Sequence, residues 1–126
     1  MAQERPLSPH LMIYKPQLTS MMSITHRLTG AALAGGSLLL VWWVVALAPG
    51  PDYFAYVQAI MASVPGQIVL FGFSVAVYYH LSNGIRHLFW DFGFNLSIEG
   101  VKRTGYMVMA STLALTAVTW AMVWGS

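Results

Sequence analysis

Long uncharged apolar segments separated by short polar ones predict three membrane-crossing helices. The first segment carries no charge from Leu28 to Ala48 and stops at the Pro-Gly-Pro-Asp cluster that follows it; such clusters end helices. We expect helices over about 24–48, 65–90 and 103–125. Each contains the ~20 residues that a helix needs to cross the hydrocarbon core of a bilayer. The pattern therefore predicts an all-α membrane protein.

The remaining segments are shorter and more polar. Residues 1–22 are amphipathic and contain three prolines, which predicts an arm on the cytoplasmic membrane surface rather than a fourth span. Because this arm lacks a continuous apolar core, we do not expect a cleaved secretory signal. Residues 52–63 predict a short interfacial helix on the other side. We find neither an internal repeat nor a low-complexity linker, so residues 1–126 are expected to form a single membrane-anchor domain.

Composition supports a membrane protein. Hydrophobic residues make up 57% of the chain and charged residues only 8%, whereas a soluble domain has about 25% charged residues. The chain has no cysteine, which excludes disulfides, cysteine-ligated iron–sulfur clusters or zinc, and covalently attached c-type haem within it. The net charge of +2 does not indicate nucleic-acid binding, because the basic residues are placed as membrane anchors.

The basic residues predict the orientation of the chain in the membrane. With three spans, all six fall on one side: Arg5, Lys15, Arg27, Arg86, Lys102 and Arg103. The loop on the other side carries only Asp52. By the positive-inside rule the N-terminus is expected in the cytoplasm, in a bacterial inner membrane, or in the matrix if the membrane is the mitochondrial inner one.

The same topology brings polar residues from two helices to one interface. The start of the first helix and the end of the second contribute Ser23, His26, Arg27, Arg86, His87 and Asp91. These six residues are expected to form a single polar pocket at the cytoplasmic leaflet. Each has a simpler alternative role, since an arginine at a helix end can extend to lipid headgroups and Asp91 can be only a cap or an ion-pair partner.

His80 is the most informative residue of the chain. It lies about 16 Å inside Asp91 along the second helix, and His87 about 6 Å, so His80 is predicted near mid-membrane. Ionisable residues at that depth are costly and mostly functional. An imidazole can bind haem iron axially, with cations nearer the surface pairing with the propionates. A packed, hydrogen-bonded core histidine remains the alternative.

A haem bound by His80 needs a second ligand on its opposite face. His87 lies about 10 Å away along the same side of the same helix, so it cannot supply that ligand. His26 is expected to be too shallow to meet His80. We therefore expect the second ligand to come from another chain.

The first helix has small residues at the depth expected for His80. Glycine, alanine and serine dominate residues 30–37, and such patches let a neighbouring helix or a porphyrin edge approach closely. Plain helix packing explains this patch equally well.

Three stretches together resemble a known family. They are Arg5-Pro6-Leu7-Ser8-Pro9-His10-Leu11, the pattern S-x-x-H-R-x-[ST]-G at 23–30, and H-x-x-x-G-[IL]-R-H-x-x-x-D at 80–91. In order, spacing and setting they resemble the large cytochrome b membrane-anchor subunit of succinate dehydrogenase, respiratory complex II. The arm is similar to that of the alphaproteobacterial and mitochondrial branch. The resemblance covers essentially the whole chain.

The resemblance implies a set of partners and site residues. A second, smaller anchor subunit would pair with this chain, and the two would hold the flavoprotein and iron–sulfur subunits at the membrane. One b-type haem would lie between the anchors, with His80 as the iron ligand from this chain. His26, Arg27 and His87 would contact the haem propionates, and Ser23 and Arg27 would bind ubiquinone.

The implied reaction is the two-electron, two-proton reduction of ubiquinone, with electrons arriving from outside this chain. Ser23 can hydrogen-bond a quinone oxygen, Arg27 can stabilise developing negative charge there, and His26 can deliver protons or hold a propionate. No residue here is expected to oxidise succinate. The alternatives are the anchor of a quinol–fumarate reductase, a structural anchor without a redox role, and a small transporter.

Overall fold

The computed structural model describes residues 16–126 and arranges them in four α-helices. Their bounds are α1 Leu18–Val45, α2 Pro51–Ala62, α3 Val64–Asp91 and α4 Ile98–Gly125. By length and composition α1, α3 and α4 are each able to cross a membrane. The predicted fold class and its three spans are confirmed.

The helix ends follow from local sequence chemistry. Gly50 has φ +116°, a conformation that glycine tolerates, and Pro51 then begins α2. Ser63 and Ser97 cap α3 and α4, and each side-chain oxygen accepts a hydrogen bond from a backbone N–H three residues on. Serine at this position satisfies an N–H that the first helical turn leaves unpaired.

The three long helices run up and down. Gly30 of α1 lies against His80 of α3 and Gly36 against Phe73, so these two helices are antiparallel. Trp120 donates to Ser74 and Ser111 to Ser82, so α3 and α4 are antiparallel as well. The start of α1, the end of α3 and the start of α4 therefore meet at one end of the bundle, which we call the basic end.

Four of the six basic residues lie at the basic end, as the topology predicted: Arg27, Arg86, Lys102 and Arg103. Arg5 and Lys15 fall outside the described residues, as does most of the predicted arm.

The short helix expected at residues 52–63 is present as α2. It packs beside the far end of α1 through two tryptophan indoles. Trp42 donates to the Tyr53 hydroxyl at 3.2 Å and Trp43 to Gln58 Oε1 at 2.8 Å. These bonds fix α2 at the end of the bundle opposite the basic end.

Helix α1 starts earlier than predicted. It begins at Leu18, so residues 18–22, assigned to the arm from sequence, are helical. Met22 is only 4% exposed and packs with Tyr79 and Val108, with Leu18 beside them. The Tyr79 hydroxyl also donates to the Met22 carbonyl oxygen at 2.8 Å. Contacts with α3 and α4 thus extend the helix into the segment predicted as an arm.

Side chains on the outside of the bundle are largely apolar. Leu38, Leu113 and Met122 are each about 70% exposed, and many other large apolar side chains are exposed in the same way. A soluble monomer rarely leaves so much contiguous apolar surface open to water. This exterior suits lipid tails or helices of other chains.

Gly36 allows α1 and α3 to approach closely. A Cβ atom at Gly36 would overlap the Phe73 ring, whereas one at Gly35 would meet open space. The small-residue patch predicted on α1 therefore serves helix packing at least at Gly36.

We expect Gly36→Ala to destabilise the protein by about 1–3 kcal/mol through overpacking. Gly35→Ala is the matched control, because it adds the same methyl group where the chain leaves space and gains about 1 kcal/mol of helix propensity. Thermal unfolding of the detergent-solubilised protein measures both. Equal melting temperatures for the two variants would contradict the close contact.

Candidate functional site

His80 is fixed across the α1–α3 interface by its Nδ1 atom. This nitrogen lies 3.1 Å from the backbone carbonyl oxygen of His26 and 3.2 Å from the Thr29 hydroxyl. The Thr29 hydroxyl itself donates to the same His26 carbonyl at 2.9 Å. Three polar groups of two helices therefore meet at one point.

These contacts determine which nitrogen of His80 carries the proton. A hydroxyl has one proton to donate, and Thr29 gives its proton to the His26 carbonyl, so towards His80 it can only accept. A carbonyl oxygen also accepts only. Nδ1 must therefore be the donor, which leaves the lone pair of a neutral imidazole on Nε2. Metal-binding histidines commonly have their second nitrogen fixed in this way.

The rings of His26 and His80 are stacked. Their centroids are 3.9 Å apart and the ring planes differ by 7°. The expectation that His26 is too shallow to meet His80 is wrong. Because α1 begins at Leu18, His26 lies about 12 Å along the helix, deeper than the predicted helix start implied.

The stacked arrangement leaves the second haem ligand unaccounted for within the described chain. The His26 ring lies over the face of the His80 ring, so its nitrogens would not face a group bound at Nε2 of His80. His26 is therefore misplaced to be the second ligand.

His87 extends the row of rings towards the basic end. Its centroid lies 5.3 Å from that of His26, and the two rings are tilted by 46°. On its other side it meets the Trp90 ring edge-on at 4.9 Å. The structure thus brings together three of the five predicted site residues, His26, His80 and His87.

Two glycines shape the space around these rings. A Cβ at Gly30 would lie 3.1 Å from Cε1 of His80, so a larger residue would push the imidazole. Gly84, one turn from His80 on the same face of α3, has open space beside it. The small-residue patch of α1 therefore reaches the depth of His80, as expected, and a surface without side-chain bulk lies between His80 and His87.

Ser23 and Arg27 lie on the outside of α1, near the basic end. They are one helical turn apart, a spacing that places them on the same face, and both side chains are exposed. They flank His26 in the sequence, but their exposure leaves them directed towards whatever surrounds the chain. A ligand or another subunit can therefore reach both.

Arg86 does not belong to this site, contrary to the predicted six-residue pocket. Its side chain is 5% exposed and donates to Thr104 Oγ1 at 3.0 Å, Asn83 Oδ1 at 3.1 Å and the Val101 carbonyl at 2.9 Å. One residue turns an α-helix by about 100°, so Arg86 points to α4 whereas His87 points to α1. Asp91 is exposed at the last position of α3.

Sequence reasoning missed the role of Thr29. The signal was present, because Thr29 occupies the [ST] position of the S-x-x-H-R-x-[ST]-G pattern, three residues after His26. Helical spacing places residues three apart on the same face. Only the pairing of α1 with α3 reveals that this face meets His80.

The arrangement fits a b-type haem held by one histidine from this chain. His80 presents the Nε2 lone pair, and the open face at Gly84 lies beside it. The buried Nδ1 of His26 has no hydrogen-bond partner within residues 16–126. This is expected of a group whose partner lies outside the chain. The same residues contain no cluster of three or more histidine, aspartate or glutamate side chains able to hold a metal ion alone. This does not count against a haem, because this chain would need to supply only one histidine to the iron.

Comparison with known proteins gives the family. Residues 1–119 match the family described as "Succinate dehydrogenase/Fumarate reductase transmembrane subunit". The chain belongs to this family. It is 44% identical to the succinate dehydrogenase cytochrome b556 subunit of Rickettsia typhi over 117 residues, which cover 93% of this chain and 91% of that protein.

Two further relatives come from another bacterium and from a mitochondrion. The succinate dehydrogenase cytochrome b556 subunit of Paracoccus denitrificans is 41% identical over 91% of this chain and 88% of its own length. The mitochondrial succinate dehydrogenase cytochrome B subunit of Schizosaccharomyces pombe is 41% identical over 94% of this chain and 68% of its own length. The predicted resemblance to the alphaproteobacterial and mitochondrial branch is confirmed.

Proposed function

We propose that this chain is the cytochrome b membrane-anchor subunit of a succinate dehydrogenase, complex II. The observation that carries the proposal is His80 of a transmembrane-length helix, whose Nδ1 lies 3.1 Å from the His26 carbonyl oxygen, a contact that leaves Nε2 for iron. Relatives with 41–44% identity are named succinate dehydrogenase cytochrome b subunits. That naming favours succinate dehydrogenase over the quinol–fumarate reductase alternative and over an anchor without a redox role.

In this proposal His80 is the axial ligand of a b-type haem. When bound, the haem supplies a one-electron redox centre within the membrane. His26, Arg27 and His87 hold the propionates: the two histidines follow the row of rings from His80 towards the basic end, and the exposed Arg27 follows His26 in the sequence. The orphaned Nδ1 of His26 is suited to donate to a carboxylate, and charge-assisted bonds of this kind are among the stronger hydrogen bonds in proteins.

A second, smaller anchor subunit supplies the other haem ligand. The stacked geometry of His26 makes this chain a poor source of that ligand. The exposed apolar surfaces of the long helices offer the contact area that such a subunit needs. The flavoprotein and iron–sulfur subunits dock at the basic end, on the cytoplasmic side or, in a mitochondrion, the matrix side.

Ser23 and Arg27 contribute to the ubiquinone site. Both are exposed near the basic end, where an iron–sulfur subunit would deliver electrons. The Ser23 hydroxyl hydrogen-bonds a quinone oxygen, and the Arg27 guanidinium stabilises negative charge as it develops there. The remaining contacts come from partner chains.

Replacing His80 tests the haem assignment. We expect His80→Leu to abolish or shift the reduced-minus-oxidised b-type absorption of the purified complex, because an axial imidazole is lost. The midpoint potential is measured together with the spectrum, because the neighbouring His26 ring is stacked on His80 and its environment changes in the variant. His87→Leu is the control and should retain axial ligation. Unchanged band position, intensity and potential in His80→Leu would contradict the assignment.

Thr29→Val tests how His80 is held. Valine keeps the shape but removes one acceptor of the Nδ1 proton, so the imidazole becomes a weaker electron donor and the haem potential should rise. The rise should stay below about 40 mV, the one-electron equivalent of a hydrogen bond of about 1 kcal/mol. Thr29→Ser restores the hydroxyl and should restore the potential in a redox titration. A rise of equal size in both variants would point to packing instead.

Ser23→Ala and Arg27→Leu test the quinone site. Each substitution should lower the rate at which the complex reduces ubiquinone, by roughly ten- to a hundredfold. This is the range expected for the loss of a hydrogen bond to a charged group. Succinate oxidation with a soluble artificial acceptor should be retained, because it does not use this chain. Lys102→Gln, which removes an exposed cation at the same end, is the control. Equal losses with both acceptors would indicate failed assembly and would contradict a specific quinone role.

A further inference from the structure

A second concave surface lies on the opposite side of α3 from the histidines. It is a groove of about 630 Å³ between α3 and α4, a size typical of small-molecule sites. Its walls are mainly apolar and include Leu81, Ile85 and Phe89 from α3 with Met107 and Leu115 from α4. Residues 81, 85 and 89 follow one stripe of α3 and 80, 84 and 87 another, so the groove and the proposed haem site lie on different faces of α3, with Trp90, which lines the groove and contacts His87, between them.

One end of this groove is cationic. Arg103 and Arg86 both line it at the basic end, where α3 stops and α4 starts. The exposed Arg103 guanidinium donates to Asn95 Oδ1 at 3.2 Å, which places it at the rim. From there the apolar wall continues to Leu115, about 18 Å farther along α4 at 1.5 Å per residue. The groove therefore joins a positively charged end to a long apolar trough.

Arg86, the buried arginine at the cationic end, has only neutral hydrogen-bond partners in the described chain. Its three hydrogen bonds go to the side-chain oxygens of Asn83 and Thr104 and to the Val101 carbonyl. Its guanidinium carbon also lies 4.1 Å from the Trp90 ring centroid, a further attraction that carries no formal charge. A cation held away from water is costly without a counter-charge, so an anion at this end of the groove would be stabilised.

We propose that this groove binds an anionic phospholipid of the leaflet at the basic end. The phosphate lies against Arg103, within the field of Arg86, and an acyl chain follows the trough past Met107. The layout of the groove matches a molecule with an anionic head and a long apolar tail. A helix of another subunit would fill the trough but has no need of a cationic end, and a quinone has no anionic head.

Lipid retention by the whole complex tests the proposal. The complex is stripped of lipid in detergent, titrated with phosphatidylglycerol or phosphatidylcholine, and the bound lipids are counted by native mass spectrometry. Arg103→Gln should weaken phosphatidylglycerol binding by about fivefold, the effect of one basic residue near an anionic lipid, and leave phosphatidylcholine binding nearly unchanged. Lys102→Gln is the matched control, because it removes a neighbouring exposed cation that does not line the groove.

A second variant tests the trough itself. Met107 is 62% exposed, so Met107→Trp is expected to fold while occupying the space of the acyl chain, and it should reduce the binding of both lipids. Equal effects of Arg103→Gln and Lys102→Gln would show diffuse attraction and overturn the site. Unchanged lipid binding in Met107→Trp would also overturn it. If lipid binding is unchanged in Met107→Trp, a loss of subunit association in that variant would identify another chain as the occupant of the groove. A raised KM for ubiquinone would instead identify the quinone as the occupant.

Discussion

The site depends on one hydrogen-bonded contact between α1 and α3, at the level of Gly30. There the Nδ1 proton of His80 meets the His26 carbonyl and the Thr29 hydroxyl. Within a bilayer no water replaces a lost polar contact, so this junction holds the imidazole in one orientation. Glycine at position 30 leaves room for the ring, since a Cβ atom there would lie 3.1 Å from Cε1 of His80.

The helical rotation of α3 then divides its polar residues between two environments. His80 and His87 face α1, where aromatic rings surround them. Arg86, one residue before His87, faces α4 and donates hydrogen bonds to amide, hydroxyl and carbonyl oxygens. A single element thus carries the proposed haem ligand on one side and the proposed lipid groove on the other. The two sites lie on different faces of α3 and adjoin at Trp90.

The sequence predicted the three spans and their antiparallel order, because the length of an apolar segment and the placement of basic residues are local properties. The sequence also placed His26 and His87 correctly as neighbours at one end, but not the contact of His26 with His80. The local sequence pattern did not predict where α1 begins. The first turn is stabilised by Met22 and Leu18 packing at Tyr79 and Val108, and those contacts involve residues more than fifty positions away.

That single boundary error explains the wrong depth of His26. Counting from the true start at Leu18, His26 reaches the level of His80, whereas counting from about residue 24 leaves it near the surface. The assignment of Arg86 to the histidine pocket failed for a different reason. Sequence places Arg86 and His87 at the same depth but does not say which neighbouring helix each one faces. That information exists only once α4 is packed against α3.

The position of the histidine row is also what a cofactor shared between two chains requires. His80 and His87 are only partly buried, and the Gly84 face beside them is open. A haem enclosed by this chain alone would need a second ligand from the described helices. Here the proposed ligand, His80, lies on the central helix α3, which packs against both α1 and α4, and the other histidine within reach, His26, is stacked against its ring. This arrangement would leave the second ligand to a neighbouring chain, so the haem would also join the two anchor subunits.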